Sequence, residues 1–540
     1  MKQFIIILFV LLHISSLHAQ KWEHTIGLPN RDEYGLAILE HYDHGYLLNA
    51  VMMQGSGNYH GLIIKTDING DVLWDKQIGL LPETTDNAAL RFDEQGNIYT
   101  LGWLYNQSVP HEFPRITKLN ACGEQLWCRM FALDGYSFGF FTDAIIIENG
   151  DLLCLAIMPE DDPSNNNRIK VFCITSEGEL LWCKGYATHE DHPYYGDPYG
   201  ATINQFGNQY IISGTVYSPY PNDPNPYHVW QRPMFIGINE DFEERWIVEF
   251  GISDSLLGKA YGSYQLNDSI YMGFGTNRYA ENGNITDNSF IMYYNRDGVE
   301  TGHHIINGPE IAPGINQNFI DDIERIDQTK FLCAAGIGEE YQGCPYSEMV
   351  IDTAGNVHNY ALRENTVGGA NYVTKTFDGK FLLSVCHQLP GQTHTDIFLY
   401  KINAYLENDT LYPGTYKYDS LCRHNIESGI IDLTGCDVIT SIGEIPTLEY
   451  YNQKMQSIAI TASPNPSNTG EVMLEYENTK SFTQMELRVS NVYGKQIHSE
   501  SVLPYQGATR LHTGAWPAGM YIVGIYSNGQ LKGKCKIIKE

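Results

Sequence analysis

Residues 61–79 read GLIIKTDINGDVLWDKQIG. An apolar run ends in Lys65-x-Asp67, an Asn69-Gly70 turn follows, and Trp74 opens a second apolar run. Acidic, Asn and Gly residues between two such runs are the signature of a tight hairpin. The same plan returns in residues 116–131 (ITKLNACGEQLWCRMF), 171–186 (VFCITSEGELLWCKGY) and 235–251 (FIGINEDFEERWIVEFG). Weaker copies occupy residues 292–305, 349–362 and 399–412. Aligned on the turn, one slot holds Asp67, Asn120, Thr175, Asn239, Asn295, Asp352 and Asn403. Side chains of this kind bond backbone N–H groups two residues on and so hold a turn. The first five steps between these positions are 53, 55, 64, 56 and 57 residues.

Each unit carries a second strand–turn–strand, as in ALRFDEQGNIYTLGW (89–103), AIIIENGDLLCLAI (144–157), TINQFGNQYIISGT (202–215) and VTKTFDGKFLLSVC (373–386). Four short strands in about 55 residues match a blade of a β-propeller. That length is too short for a separate β-sandwich, and no window keeps the 3.6-residue period of a long helix. KWEHTIGL (21–28) copies LWDKQIGL (73–80), so Trp22 is an outer-strand Trp with no unit before it. The seventh unit, in turn, ends in a poor match near Thr410. Pairing the first strand into the last unit closes the ring and hides its edges. The expected fold is all-β: a seven-bladed β-propeller over residues 20–414.

The hairpin turns fall on one rim, and the longer connections on the other: 105–111, 160–167, 189–200, 217–232 and 277–288. Binding concentrates in loops held by a rigid scaffold. Two of these segments, HEDHPYYGDPYG and YSPYPNDPNPYHVWQR, are crowded with Tyr, Pro and Trp. Rigid aromatic faces of this kind stack on sugars or peptides, which makes Tyr194, Tyr195, Tyr199, Tyr217, Tyr220, Tyr227 and Trp230 the candidate ligand-binding residues. A loop cluster packed on itself is the alternative.

Other chemistry is sparse. Formal net charge is −30, with 64 Asp and Glu against 34 Lys and Arg, which disfavours nucleic acid and anionic membrane as partners. His189, Glu190, Asp191 and His192 crowd one loop, but neighbours on an extended chain point opposite ways. Asp67, Asn69 and Asp71 resemble the start of a calcium loop without its continuation. No GxSxG, HExxH, P-loop or CxxC pattern occurs. No metal, cofactor or catalytic residue is assigned.

Lys2, the apolar run 4–14 and the small residues Ser15, Ser16 and Ala19 form a secretory signal peptide, 1–19. About 11 apolar residues cannot span a bilayer that needs ~20, and no later stretch is long enough, so the mature chain has no transmembrane segment. An exported chain can form disulfides, and the odd count of 11 cysteines leaves at least one unpaired. Cys154, Cys333 and Cys386 sit in apolar strands as small buried hydrophobes. Cys422 and Cys436 lie in a polar bridge, 415–461, and are expected to pair with each other.

Residues 462–540 carry eight Lys and Arg against six Asp and Glu, so the acidity lies upstream. Strand-like runs separated by NVYGK and SNGQ turns predict a small Ig-like β-sandwich. SPNPSN (463–468), NVYGKQI (491–497), LHTGAWPAGMYIVGIYSNG (511–529) and the basic KCKIIK (534–539) together resemble the type A C-terminal sorting domain of Bacteroidetes type IX secretion cargo. The motif positions are Pro464, Asn465, Pro466, Gly494, Lys495, Pro517, Gly519 and Tyr521. Cys535 is a departure from the pattern. The resemblance implies export to the periplasm, then passage through the outer membrane guided by the type IX machinery, with release or surface anchoring. The repeats also resemble propeller repeats of such cargo, which conveys fold and not activity. The expected function is a secreted or cell-surface binding protein for a glycan or protein. The alternatives are an extracellular hydrolase or lyase acting on polysaccharide or peptide, and a structural spacer.

Overall fold

A computed structural model describes residues 20–540 except 29–30, 55–57, 81–83, 107–110, 132–138, 160–166, 189–195, 220–228, 252–254, 282–283, 339–344, 364–371, 389–390, 415, 440–458, 469, 478–484, 492–494, 503–505, 528–529 and 540. The expected signal peptide, 1–19, therefore lies outside the described residues. Among the described residues the chain is all-β, with one four-residue helix at Gly308–Ile311. It divides into two units, Met1–Glu444 and Ile445–Glu540. Among the described residues no helix is long and apolar enough to cross a membrane.

In the first unit the strands fall into consecutive antiparallel groups of four. The first group is Asp32–Glu40, Tyr46–Gln54, Asn58–Thr66 and Val72–Ile78. Later groups span 84–131, 140–186, 196–249, 255–306 and 317–362. The fourth and fifth are joined into one sheet by a single parallel pair, Gln231 with Leu257. The last group contains Tyr372–Lys375, Phe381–His387 and Asp396–Ile402, and takes its outer strand, Glu23–Ile26, from the chain's start. Glu23 faces Tyr400 and Ile26 faces Ile397 in that antiparallel pairing.

The turn slot works as its chemistry predicts. The carboxylate of Asp67 accepts from the N–H groups of Asn69 and Asp71 at 2.8 and 2.9 Å. Asn120, Asn239, Asn295, Asp352 and Asn403 accept from the same two relative positions, and Thr175 accepts one such bond through its hydroxyl. The Lys two residues before the slot is structural too. Lys65, Lys118 and Lys401 reach back to Asp43, Asp93 and Asp378 of their own first hairpin.

Cores lie between adjacent groups rather than inside one. Tyr99, Leu101 and Phe131 of the second group pack with Phe141, Cys154 and Phe172 of the third. Trp22, Leu382, Ile397 and Leu399 pack with Ile38, Tyr46 and Leu48, joining the last group to the first. Middle strands are thus covered on both faces, which explains continuous apolar runs such as LLCLA.

A polar contact repeats across these seams. The Trp127 indole donates to the Ser176 carbonyl in the next group's turn at 3.1 Å, and Trp246 donates to Arg296 at 2.8 Å. Trp22 donates to Ile68, the same turn position of the first group, at 2.8 Å. The turn glycines beneath these indoles, Gly70 and Gly178, have φ of +90° and +85°, and an added Cβ would meet the ring at 3.1 and 2.9 Å. Both backbone conformation and ring contact exclude a side chain there.

The segment after the last repeat does not form the local loop expected of it. Gly429–Ile431 pairs in parallel with the outer strand Val72–Ile78, and Asp437–Ile439 pairs with Gln125–Phe131. Cys422 is bonded to Cys122 and Cys436 to Cys128, with Cα separations of 5.2 and 4.7 Å. The expected Cys422–Cys436 pair is therefore corrected. Edge pairing stretches this segment over two groups and brings each cysteine against a partner about 300 residues earlier. Tyr418, Asp419 and Asp43 add bonds at its start: the Tyr418 hydroxyl accepts from the Ile68 N–H, and the Asp43 carboxylate from the Asp419 N–H. Cys154, Cys333 and Cys386 are free and buried.

In the second unit two antiparallel sheets share one core. One contains Ala459–Ser463, Glu471–Glu477 and Gln506–His512; the other contains Met485–Asn491, Gln496–Val502, Gly519–Ser527 and Gln530–Lys539. Leu474, Leu487, Val489, Val523 and Ile537 lie in the shared core.

Candidate functional site

The first strand of each group faces a central cavity of about 1260 Å³. Six of these strands carry a β-bulge at the same register, opposite the second strand of the group. The extra residues are Leu36, Ala88, Thr142, Ala201, Tyr261 and Asp321, and all six line the cavity. A bulge turns one more side chain toward the same side and tightens the local twist. No residue type marks this position, so the sequence gives no sign of it.

The residue after the bulge joins neighbouring groups. Asp143 accepts from the Ile203 N–H of the next group at 2.9 Å and from Ala144 at 2.8 Å. Asp322 does the same with Val373 at 3.1 Å and Ile323 at 2.9 Å. Arg91 pairs with Asp143 and donates to the Ala144 carbonyl at 2.7 Å. Tyr264 fills the corresponding slot toward Asp322, its hydroxyl donating to the Ile323 carbonyl at 3.2 Å.

Burial is the main electrostatic influence on this wall. It holds the carboxyls of Asp86, Asp143 and Glu324 above their ordinary range, partly offset at Asp143 by Arg91. Burial pushes Asp322 up to about 8, with the charges of Glu324 and Asp321 adding to it against two main-chain N–H groups. Glu112 is raised by burial alone. The phenols of Tyr199, Tyr261 and Tyr372 are raised by burial first and then by neighbouring carboxylates, among them Asp86 and Asp321.

Of the seven candidate aromatic residues, Tyr194, Tyr195, Tyr220 and Tyr227 lie outside the described residues. The other three stand at one end of the fourth group. Tyr199 lies near the start of the strand Gly196–Phe206, Tyr217 near the end of Gln209–Pro219, and Trp230 near the start of Val229–Ile238. Gly196 pairs with Tyr217, and Ser218 with Trp230, at the end opposite the tight turn at Gly207. Tyr199 and Tyr217 line the cavity, and Tyr199 lies 5.9 Å from the Phe140 ring. Residues 277–288 are mostly strand, not loop. They extend the arms Ile270–Glu281 and Asn284–Asn295, clamped by the Arg278–Asp287 pair at 2.8 Å.

The sorting motif maps onto the second unit. Asn465 donates to the Lys536 carbonyl at 2.6 Å and accepts from the Ile538 N–H at 2.9 Å, fixing the SPNPSN segment along the last strand. Peptide bonds preceding Pro464 and Pro466 are cis. The Lys495 N–H donates to Asn491, and Tyr521 donates to the Pro517 carbonyl at 2.6 Å with Trp516 beside its ring. Gly519 begins that strand, and Gly494 lies outside the described residues.

No curated protein matches the chain in sequence. Among solved structures, it is similar to a protein of unknown function from Dyadobacter fermentans, at 9% identity and TM-score 0.36, over 64% of this chain and 99% of that one. It is also similar to the β-propeller domain of the Trilobed protease from Pyrococcus furiosus, at 8% identity and TM-score 0.38, over 72% and 97%. A Synechocystis apocarotenoid oxygenase matches at 10% identity and TM-score 0.34, over 74% and 96%. Residues 462–540 match the family model described as secretion system C-terminal sorting domain. With the SPNPSN, NVYGK and Pro-x-Gly-x-Tyr elements in place there, the chain is a cargo protein of type IX secretion, sent to the cell surface or beyond.

Proposed function

We propose that the four-strand groups are the blades of a seven-bladed β-propeller over residues 20–414, followed by a bridge (415–461) and an Ig-like β-sandwich sorting domain (462–540), and that the propeller binds a glycan or protein through its long-loop rim. Trp22 supports the ring, because its bond to Ile68 repeats the Trp127–Ser176 and Trp246–Arg296 bonds at the seam between last and first groups. The observation that carries the binding reading is the position of Tyr199 and Tyr217, on the cavity wall at the long-loop end. A hydrolase or lyase would need carboxylates free to exchange protons or attack. Asp143 and Asp322 instead hold main-chain N–H groups of neighbouring strands.

Glycan and peptide arrays probed with the secreted chain test this reading. Replacing Tyr194, Tyr195, Tyr227 and Trp230 with Ala should abolish array binding and leave the thermal midpoint unchanged. Binding that survives the substitutions would remove the long-loop rim from the proposal.

A further inference from the structure

We infer that the Cys122–Cys422 bond is a thiol-exchange site, at which a small dithiol is oxidised while the two cysteines are reduced in place. The inference stands apart from the rim reading, since it concerns the outer edges of the first two groups.

The two disulfides are not equivalent. Cys128 is 2% exposed and, with Cys436 packed against it, belongs to a core that includes Trp74, Leu119, Ile431 and Leu433. Cys122 and Cys422 are only half-buried, so a thiol in solution reaches their sulfurs first. A ring nitrogen of exposed His424 lies within 4.8 Å of both sulfurs. Glu124, 3.6 Å from that ring, also lines a cleft of about 420 Å³ with Lys76, Gln125, Ile430 and Asp432. That volume holds a small dithiol next to the bond.

Disulfide exchange runs through a mixed disulfide, and it quickens as the departing sulfur is stabilised. Here one sulfur bonds to the incoming thiolate and the S–S bond breaks. The other sulfur leaves with the electron pair and takes a proton from His424. The reagent's second thiol returns a proton to His424 and attacks the mixed disulfide. Its own disulfide closes, and the remaining cysteine leaves as a thiolate that water protonates. Two electrons and two protons have then passed from the dithiol to the protein.

The fold keeps the reduced pair together. Gly429–Ile431 and Asp437–Ile439 stay paired with the outer strands, and Cys128–Cys436 stays closed. The two thiols therefore remain opposite each other and can re-form the bond, which makes the exchange reversible.

The test is timed reduction of the secreted chain by dithiothreitol without denaturant, with alkylation and peptide mass spectrometry to follow each cysteine. Cys122 and Cys422 should be labelled about a hundredfold sooner than Cys128 and Cys436, because exchange follows access to the sulfur. His424→Gln should slow that first labelling about tenfold and leave the thermal midpoint of the oxidised chain unchanged. Oxidised glutathione, added after the dithiothreitol is removed, should restore the Cys122–Cys422 bond. Simultaneous or reversed labelling of the two pairs, a bond that never opens in the folded chain, or an unchanged rate in the His424→Gln variant would overturn the inference.

Discussion

The two disulfides form a ladder whose removal should be strongly non-additive. Cys122–Cys422 and Cys128–Cys436 each close a loop of about 300 residues. In the loop-entropy model, closing such a loop stabilises by about 6 kcal/mol. With one bond in place the other closes only the short circuit 122–128 and 422–436, roughly 20 residues, and adds about 3 kcal/mol. Either double variant, Cys122→Ser with Cys422→Ser or Cys128→Ser with Cys436→Ser, should therefore cost about 3 kcal/mol, while the quadruple variant costs about 9. Guanidinium titration of the secreted chain followed by Trp fluorescence measures this, because Trp74 donates to Asp419 in the segment after the last repeat and reports its release. A quadruple variant that loses only the sum of the two double-variant losses, or no more than either double, would refute the ladder.

Three further outcomes follow from named contacts. Trp22→Ala removes a fully buried side chain and its bond to Ile68, and should lower stability by about 3–5 kcal/mol in guanidinium titration; a loss under 1 kcal/mol would mean that the seam does not depend on this strand. Asp322 holds its proton up to about pH 8 when folded, whereas its ordinary value is 3.8. The folded chain therefore binds the extra proton between these values, and the contribution to stability falls as pH rises through that window. Asp322→Asn should flatten the decline in denaturation midpoint from pH 5 to pH 8, and an unchanged slope would contradict the assignment. Deleting residues 462–540 should leave the protein in the periplasm, as cell fractionation would reveal; normal appearance outside the cell would refute the sorting role.

What could be read from sequence was whatever local chemistry writes in residue types. The Asp or Asn slot holds its turn wherever it occurs, so Asp67, Asn120 and Asn403 announce hairpins. Trp22 was legible because it repeats a motif lacking a preceding unit. The bulges were not, since register alone creates them and Leu36, Ala88 and Tyr261 share no chemistry. The disulfides were misread because sequence nearness favours Cys422 with Cys436. A weak clue was present: the β-branched pairs Ile430–Ile431 and Val438–Ile439 each stand near one of these cysteines, as expected of short strands that add to an existing edge. The candidate aromatic residues were found from composition, but their relation to the acidic cavity depends on which residues the bulges turn inward.

The segment 416–439 also answers a problem that a series of open sheets creates. Every group presents an outer edge strand, and an unpaired apolar edge invites association. The outer strands of the fourth, fifth and last groups, ERWIVE, ETGHHII and EHTI, carry charged or His side chains that discourage pairing. Those of the first, second and third, VLWDKQI, QLWCRMF and LLWCKGY, are more apolar; in the third Leu181 and Trp182 are buried, whereas the first two leave Val72 and Leu126 near their starts about half exposed. These are the two edges that Gly429–Ile431 and Asp437–Ile439 cover, with Ile431 and Leu433 buried against them. Covering the edges and cross-linking the chain are thus one device. Loss of both disulfides should bring concentration-dependent aggregation along with lower stability, and so should loss of the Trp22 seam, which would release Glu23–Ile26 and bare the apolar edge of Asp396–Ile402.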